Sequence, residues 1–304
     1  MGAQGQAGLL GLARLDMENL AGTGRALGVS WESTRRGVAN FSAHYAEPLL
    51  FGSPIRLEGN IEQLVQDTIY TRTRWGARAR LALSPEERIE VGYEQDRVVQ
   101  EHADVEEAGT QTTLFGIERR SLDSRAVPRR GTVLSVLASQ SFRSERLRPT
   151  GRGSARSSAV ELAAQWHRPM AARTGVALEL RAAGRFSSER VLPFFDRYPL
   201  GGATSLRGYD EEQFRVDRYA LSRLEWRWFP GGSDAFAFLF WDHAAAATRL
   251  EIPGGDRLQR LQRDGLGFGL SLETGTGRVR VDYGLAPGNS PLDGKIHLQI
   301  VSAF

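Results

Sequence analysis

Residues 192–214 read LPFFDRYPLGGATSLRGYDEEQF. The stretch holds a Pro-Phe-Phe step, a Gly-Gly pair at Gly201 and Gly202, and the tetrapeptide Leu206-Arg207-Gly208-Tyr209. It interrupts a chain that otherwise runs in short segments of alternating apolar and polar residues. Two questions follow from it. One is what a long segment rich in glycine and aromatic residues does between strands. The other is what Arg207 is for.

Outside this stretch the dominant period is two, the signature of half-buried β-strands. In RIEVGYEQD (88–96), Ile89, Val91 and Tyr93 share one face and Arg88, Glu90, Gly92 and Glu94 the other. In RVRVDYGL (278–285), Val279, Val281, Tyr283 and Leu285 oppose Arg278, Arg280 and Asp282. In KIHLQI (295–300), Ile296, Leu298 and Ile300 oppose Lys295, His297 and Gln299. Breakers such as AGTG (21–24), SPEE (84–87), VPRRG (127–131) and PGGSD (230–234) separate the runs. About fifteen strands are expected, among them 111–122, 158–169, 235–246 and 265–274, with no long amphipathic helix and no domain linker.

The 304 residues suffice for one large domain or two ordinary ones. No stretch reaches the roughly 18–20 apolar residues of a spanning helix; the most apolar window, AFAFLFW (235–241), ends at Asp242. The absence of cysteine excludes disulfides, zinc-thiolate sites and a cysteine nucleophile. The net charge of +3, from 39 basic and 36 acidic residues, is no nucleic-acid signature. The N-terminus lacks a basic leader, and Arg14 and Asp16 break its apolar stretch, so either a leader has been removed or the chain belongs to something longer.

Strict alternation fits two architectures. A soluble sandwich or barrel hides its apolar face; a transmembrane barrel turns that face to lipid and keeps the polar one inside. Arg72, Arg74, Arg78 and Arg80 on one strand beside Glu90 and Glu94 on the next favour the second. So do tight turns such as SPEE set against an expected long polar loop, ERLRPTGRGSARSS (145–158). Trp226, Trp228, Phe229, Trp241, Tyr283 and Phe304 lie near strand ends, as in an interfacial girdle.

The order Pro-Phe, aromatic, Gly-Gly, Leu-Arg-Gly-Tyr over 192–214 resembles the signature loop of the BamA/TamA-like outer-membrane assembly barrel superfamily (the bacterial surface antigen barrels, which include two-partner secretion translocators). The resemblance extends along the chain through ENLAGTGRALGVSW (18–31), YAEPLLFGSP (45–54), SLDSRAVPRRG (121–131), FLFWDHA (238–244), GLGFGLSLETGTGRVRVDYGLA (265–286) and LDGKIHLQIVSAF (292–304). It implies an all-β, antiparallel up-and-down transmembrane barrel over residues 1–304. That barrel nominally has sixteen strands, the first short or missing, with a loop at 187–216 folded inward. By that alignment the chain begins at about the family's second strand, without the periplasmic POTRA domains that members usually carry.

The resemblance further implies that Arg207 meets acidic residues of the late strands inside the barrel. A buried, unpaired charge is costly, and a guanidinium offers a planar fork for a carboxylate. Asp242, which breaks an apolar strand, is the first candidate, followed by Glu273 and Asp282. Gly208 would turn the backbone, Gly201 and Gly202 would allow close approach, Tyr209 would pack across the interior, and Gly267 and Gly269 would leave room for the loop. His297, Leu298, Ile300 and Phe304 would form the C-terminal targeting signal, with Val301 where the family often has glycine.

No catalytic constellation emerges, so the chain is expected not to be an enzyme and to need no cofactor. His44, His102, His167, His243 and His297 lack metal-ligand spacing; His167 and His297 are expected to line the interior. GLGFG (265–269) lacks a strand-turn-helix context, and GNSPLDGKI (288–296) lacks P-loop spacing. The implied partners are outer-membrane lipids and lipopolysaccharide, unfolded outer-membrane or secreted clients and periplasmic accessory proteins, not nucleic acid. The implied function is insertion or translocation of proteins at the bacterial outer membrane. The alternatives are a passive channel or scaffold barrel of a larger secretion protein, and a soluble ligand-binding β-protein.

Overall fold

The computed structural model describes residues 11–35, 38–66, 70–100, 105–124, 126–147, 151–231, 234–274 and 277–302. The strands are β1 (Gly11–Leu20), β2 (Arg25–Arg35), β3 (Val38–Glu47), β4 (Ile55–Gln66), β5 (Tyr70–Ala82) and β6 (Glu87–Gln100). Next come β7 (Val105–Leu122), β8 (Gly131–Leu147), β9 (Gly151–Ala171), β10 (Thr174–Ser187) and two short strands, β11 (Tyr198–Leu200) and β12 (Phe214–Val216). The series ends with β13 (Arg218–Trp228), β14 (Phe236–Ile252), β15 (Gly255–Thr274), β16 (Gly277–Leu285) and β17 (Lys295–Ser302). Fifteen of these form one sheet in strict chain order, β1 to β10 and then β13 to β17, while β11 and β12 pair only with each other. Within the sheet each strand pairs with the next one in the chain, through short connections everywhere except between β10 and β13, where segment 188–217 intervenes.

The residues group into two compact units, 1–117 with 138–158, and 118–137 with 159–304. Within the first, Leu15, Phe41, Tyr45, Ile61, Trp75 and Val91 are exposed on one face. The opposite face carries ion pairs between β4, β5 and β6: Arg78 to Glu94 at 2.5 Å, and Arg80 to Glu58 at 2.7 Å and Glu90 at 3.0 Å. Within the second, Leu224, Trp226, Leu239, Trp241, Phe268, Val281 and Leu298 are exposed, while the residues alternating with them are mostly buried. Exposed contiguous apolar faces of this extent call for a nonaqueous or protein surround.

Several strands are longer than their hydropathy period. The expected 265–274 is Gly255–Thr274, 235–246 is Phe236–Ile252, 158–169 is Gly151–Ala171 and 111–122 is Val105–Leu122. The expected long loop at 145–158 is strand up to Leu147 and again from Gly151. The reason is that the backbone ladder continues where both faces are wet: Arg257, Leu258, Gln259 and Arg260 are all exposed yet stay paired with β14. Alternation reports a half-buried strand and falls silent once neither face is buried.

Candidate functional site

The second unit assembles its site by cross-strand register. Side chains directly opposite one another on adjacent antiparallel strands lie within contact distance on the same face. One row runs Glu179, Arg223, Asp242, Gly265 across β10, β13, β14 and β15. The next runs Glu225, Phe240, Gly267, Gly284, and the third Arg227, Phe238, Gly269, Asp282, His297. A fourth, Phe236, Ser271, Arg280, Gln299, completes the face. Large rings on β14 thus sit beside glycines on β15.

Loop 188–217, between β10 and β13, covers this face. Its β11–β12 hairpin and the buried Leu200, Leu206, Tyr209 and Val216 pack with Leu221, Ala244, Ala246 and Ala286 in one apolar cluster. Gly201 (φ 118°), Gly202 (φ 97°) and Gly208 (φ 91°) hold left-handed conformations closed to most side chains. A Cβ on Gly208 would lie 2.9 Å from the Leu285 carbonyl carbon, so two backbones meet there with nothing between them. The Tyr209 hydroxyl donates to the Asp264 carbonyl at 3.1 Å, and its ring stacks edgewise on Phe214.

Arg207, fully buried, is the centre of the arrangement. Its Nε donates to Asp242 Oδ2 at 2.7 Å and its Nη2 to Asp242 Oδ1 at 2.6 Å, a bidentate fork, and its own backbone amide donates to Oδ2 at 3.1 Å. Nη1 donates to Glu225 Oε1 at 2.9 Å, and the guanidinium lies 3.6 Å from the centre of the Phe240 ring. Burial opposes its charge, but the Asp242 hydrogen bonds and the Glu225, Asp242 and Asp282 charges hold its pKa above the ordinary arginine value, so it stays charged. Around it, Glu225 also accepts from Arg280 and from Arg227 (Nε, 2.9 Å), and Glu179 accepts from Arg181 (Nε, 2.6 Å) and Arg223 (3.3 Å). Arg280 lies 4.1 Å over Phe238 and Arg227 4.9 Å over Phe236.

The site expected from the sequence is redistributed in four places. Asp242 meets Arg207 directly, but Glu273 does not: it stands exposed near the end of β15, opposite Arg278, where the strand has run past the covered face. Its place is taken by Glu225, which the alternation of LSRLEWRWF already put in phase with Arg223 and Arg227. Asp282, 1% exposed, acts at one remove, 3.4 Å from Arg280. Gly267 and Gly269 make room for rings rather than for the loop: a Cβ there would fall 2.6 Å from Phe240 and 2.4 Å from Phe238. The glycines against the loop are Gly265, whose Cβ would sit 2.0 Å from the Arg207 carbonyl oxygen, and Gly284, 2.5 Å from the Gly208 nitrogen.

Phe229 also leaves the expected girdle. It is buried with Val127, Phe236, Phe238 and Phe240. His297 is buried, and its Nε2 accepts from the Gly208 amide at 3.3 Å. Leu298 is exposed on the apolar face. Ile300 pairs through its backbone with Val279, its side chain lying outside the described residues, as does the whole of Phe304. Among the described residues no cluster of His, Cys, Asp and Glu is placed to hold a metal ion.

The Omp85 superfamily domain matches residues 19–304. A crystal structure of BamA from Haemophilus ducreyi lacking POTRA domains 1–3 superposes with a TM-score of 0.64 at 16% identity, covering 95% of this chain and 66% of that one. CdiB from Acinetobacter baumannii gives 0.46 at 14% identity, covering 94% of this chain and 57% of that one. The chain therefore spans about two thirds or less of these proteins' length. The BamA likeness is one of fold, the antiparallel up-and-down β-barrel. No curated protein sequence matches the chain.

Proposed function

The chain belongs to the Omp85 superfamily, and from that premise we propose that it is an integral barrel of the bacterial outer membrane that inserts or translocates other proteins without a catalytic centre. The observation that carries the proposal is the fully buried Arg207 clamped to Asp242 and Glu225 by a loop folded over the polar face. A scaffold that must hold its shape while it accepts a client gains a fixed wall. The exposed apolar faces supply a surface for lipid, with lipopolysaccharide in reach of exposed arginines such as Arg260. Strands β1 and β17 each have one pairing neighbour among the described residues. An edge of that kind offers unpaired N–H and C=O groups that can template an incoming strand. Clients are thus unfolded outer-membrane or secreted polypeptides, with periplasmic domains or accessory proteins delivering them.

The test is reconstitution of the chain into liposomes and measurement of the folding rate of an unfolded outer-membrane β-barrel client. Acceleration over empty liposomes is expected, lost in Arg207→Ala, partly restored in Arg207→Lys and kept in Arg78→Ala. Ion conductance with no acceleration would replace the proposal with the passive-channel reading.

A further inference from the structure

Beside the Arg207 clamp lies a cavity of about 250 Å³, wholly within the second unit. Four guanidinium groups line it, those of Arg120, Arg223, Arg227 and Arg280, together with His167 and Gln299. Its two carboxylates are already committed. Glu225 is shared by Arg207, Arg227 and Arg280, and Glu179 by Arg181 and Arg223. The cavity lining therefore carries four guanidinium groups against two carboxylates.

Unused hydrogen-bonding capacity points the same way. His167 is 7% exposed, yet neither of its ring nitrogens has a partner in the protein. The buried Nε of Arg223 makes no hydrogen bond and stands 3.7 Å from Asp242 Oδ1. Buried polar groups are as a rule satisfied by protein, water or ligand. Here an open imidazole and a surplus of guanidinium converge on one space large enough for a hydrated anion. We propose that this cavity binds a small oxyanion of the phosphate class, held by Arg120, Arg227 and Arg280 and hydrogen-bonded by His167. Phosphate oxygens take guanidinium donors in a bidentate fork, and an imidazole N–H supplies a further donor. The inference stands apart from the proposed function, since it needs only the cavity and its lining.

The experiment is isothermal titration of the detergent-solubilised chain with inorganic phosphate, in a buffer whose ionic strength is held constant with chloride. Saturable binding is expected in the wild type, weaker by about tenfold or more in Arg120→Ala and in His167→Leu, where charge-assisted hydrogen bonds are removed, and unchanged in Arg78→Ala, which lies in the first unit and outside the cavity. The Arg120 side chain is 39% exposed and pairs with Glu118, so its removal is expected to leave the fold intact even where His167→Leu does not. A parallel titration with glycerophosphoglycerol, the headgroup phosphodiester without acyl chains, separates the two sources of the ligand. Preference for phosphate points to a free phosphate or monoester, and preference for the diester to a lipid headgroup. Absence of saturable binding to both probes, or equal binding by wild type and Arg120→Ala, would overturn the proposal.

Discussion

Two polar faces in this molecule are built from the same letters. In the first unit, β4, β5 and β6 set arginines against carboxylates on alternate positions: Arg78 faces Glu94, and Arg80 bridges Glu58 and Glu90. In the second, β10, β13, β14 and β16 do likewise with Glu179, Arg223, Glu225, Asp242 and Arg280. The strand geometry and the ion-pair distances are similar. Exposure is not: the Arg78 and Glu94 side chains are 34% and 31% exposed, against 0% for both Arg207 and Asp242. The difference is the loop. Wet pairs interact weakly and are screened by salt. Pairs from which a covering segment has excluded water depend on one another, because each lost partner strands a buried charge. Alternating charge therefore marks a polar face, and only what lies over that face fixes what its charges are worth.

The most direct way to break the comparison is to remove one arginine from each face. Arg207→Ala leaves Asp242 with no bidentate partner and Glu225 with two guanidinium groups in place of three; a cost of about 3–5 kcal/mol is expected. Arg80→Ala, with its side chain 31% exposed, is expected to cost about 1 kcal/mol or less. Urea-unfolding midpoints in detergent, together with protease cleavage within 188–217, measure both. Equal losses would mean that the loop does not dry the face it covers.

Glycine gives the second contrast. A Cβ at Gly265 would meet the Arg207 carbonyl oxygen at 2.0 Å, whereas at Gly59, in the first unit, the nearest atom would be 3.9 Å away. Gly265→Ala must displace the loop or the strand, at about 1–3 kcal/mol. Gly59→Ala is expected to stay within about 0.5 kcal/mol. Thermal unfolding of the two variants sharpens the comparison by separating steric closure from charge.

Period two gave the number of strands in the sheet and which residues share a face, while the charge pattern and the resemblance gave the exposed side, on which Val91, Val281 and Leu298 stand. Periodicity could not give strand ends, because β15 keeps its ladder from Gly255 through ten residues with no half-buried pattern. Resemblance singled out Arg207, and the break that Asp242 makes in an apolar strand singled out its partner. Glu225 is legible as well, in phase with Arg223 and Arg227, but it stands on the strand directly after the loop, whereas the resemblance points to the late strands. Phe236, Phe238 and Phe240 form an apolar run in the sequence, and their phase with Asp242 puts them on the charged face. Glu273 shares that phase and still misses the site, because phase sets a side and says nothing of how far the cover reaches.

Those rings supply the third contrast. Phe240→Leu keeps apolar bulk beneath Arg207 but removes the quadrupole on which the guanidinium rests at 3.6 Å. A loss of about 1–2 kcal/mol is expected for a desolvated cation–π contact. In the first unit Trp75 and Tyr93 pack against each other on the exposed face, 5.5 Å between centres. Trp75→Leu is expected to cost less than Phe240→Leu in detergent, where micelle replaces the lost contact. A larger loss at Trp75 would show that outward packing, not the covered network, dominates stability.

The smallest expected effect is also the most discriminating. A double-mutant cycle on Arg78 and Glu94 isolates their coupling from everything else each residue does. The pair is well placed at 2.5 Å, so geometry alone would make it strong. Solvent access argues for about 0.2–1 kcal/mol, the range of exposed pairs. The decisive variable is salt. At about 1 M ionic strength the screening length falls to about 3 Å, so the Arg78–Glu94 coupling is expected to shrink toward zero. The same cycle on Arg207 and Asp242, two groups without solvent contact, is expected to change little. If both couplings fall together on adding salt, water and ions reach the clamp, and the loop is a lining of the polar face rather than its seal.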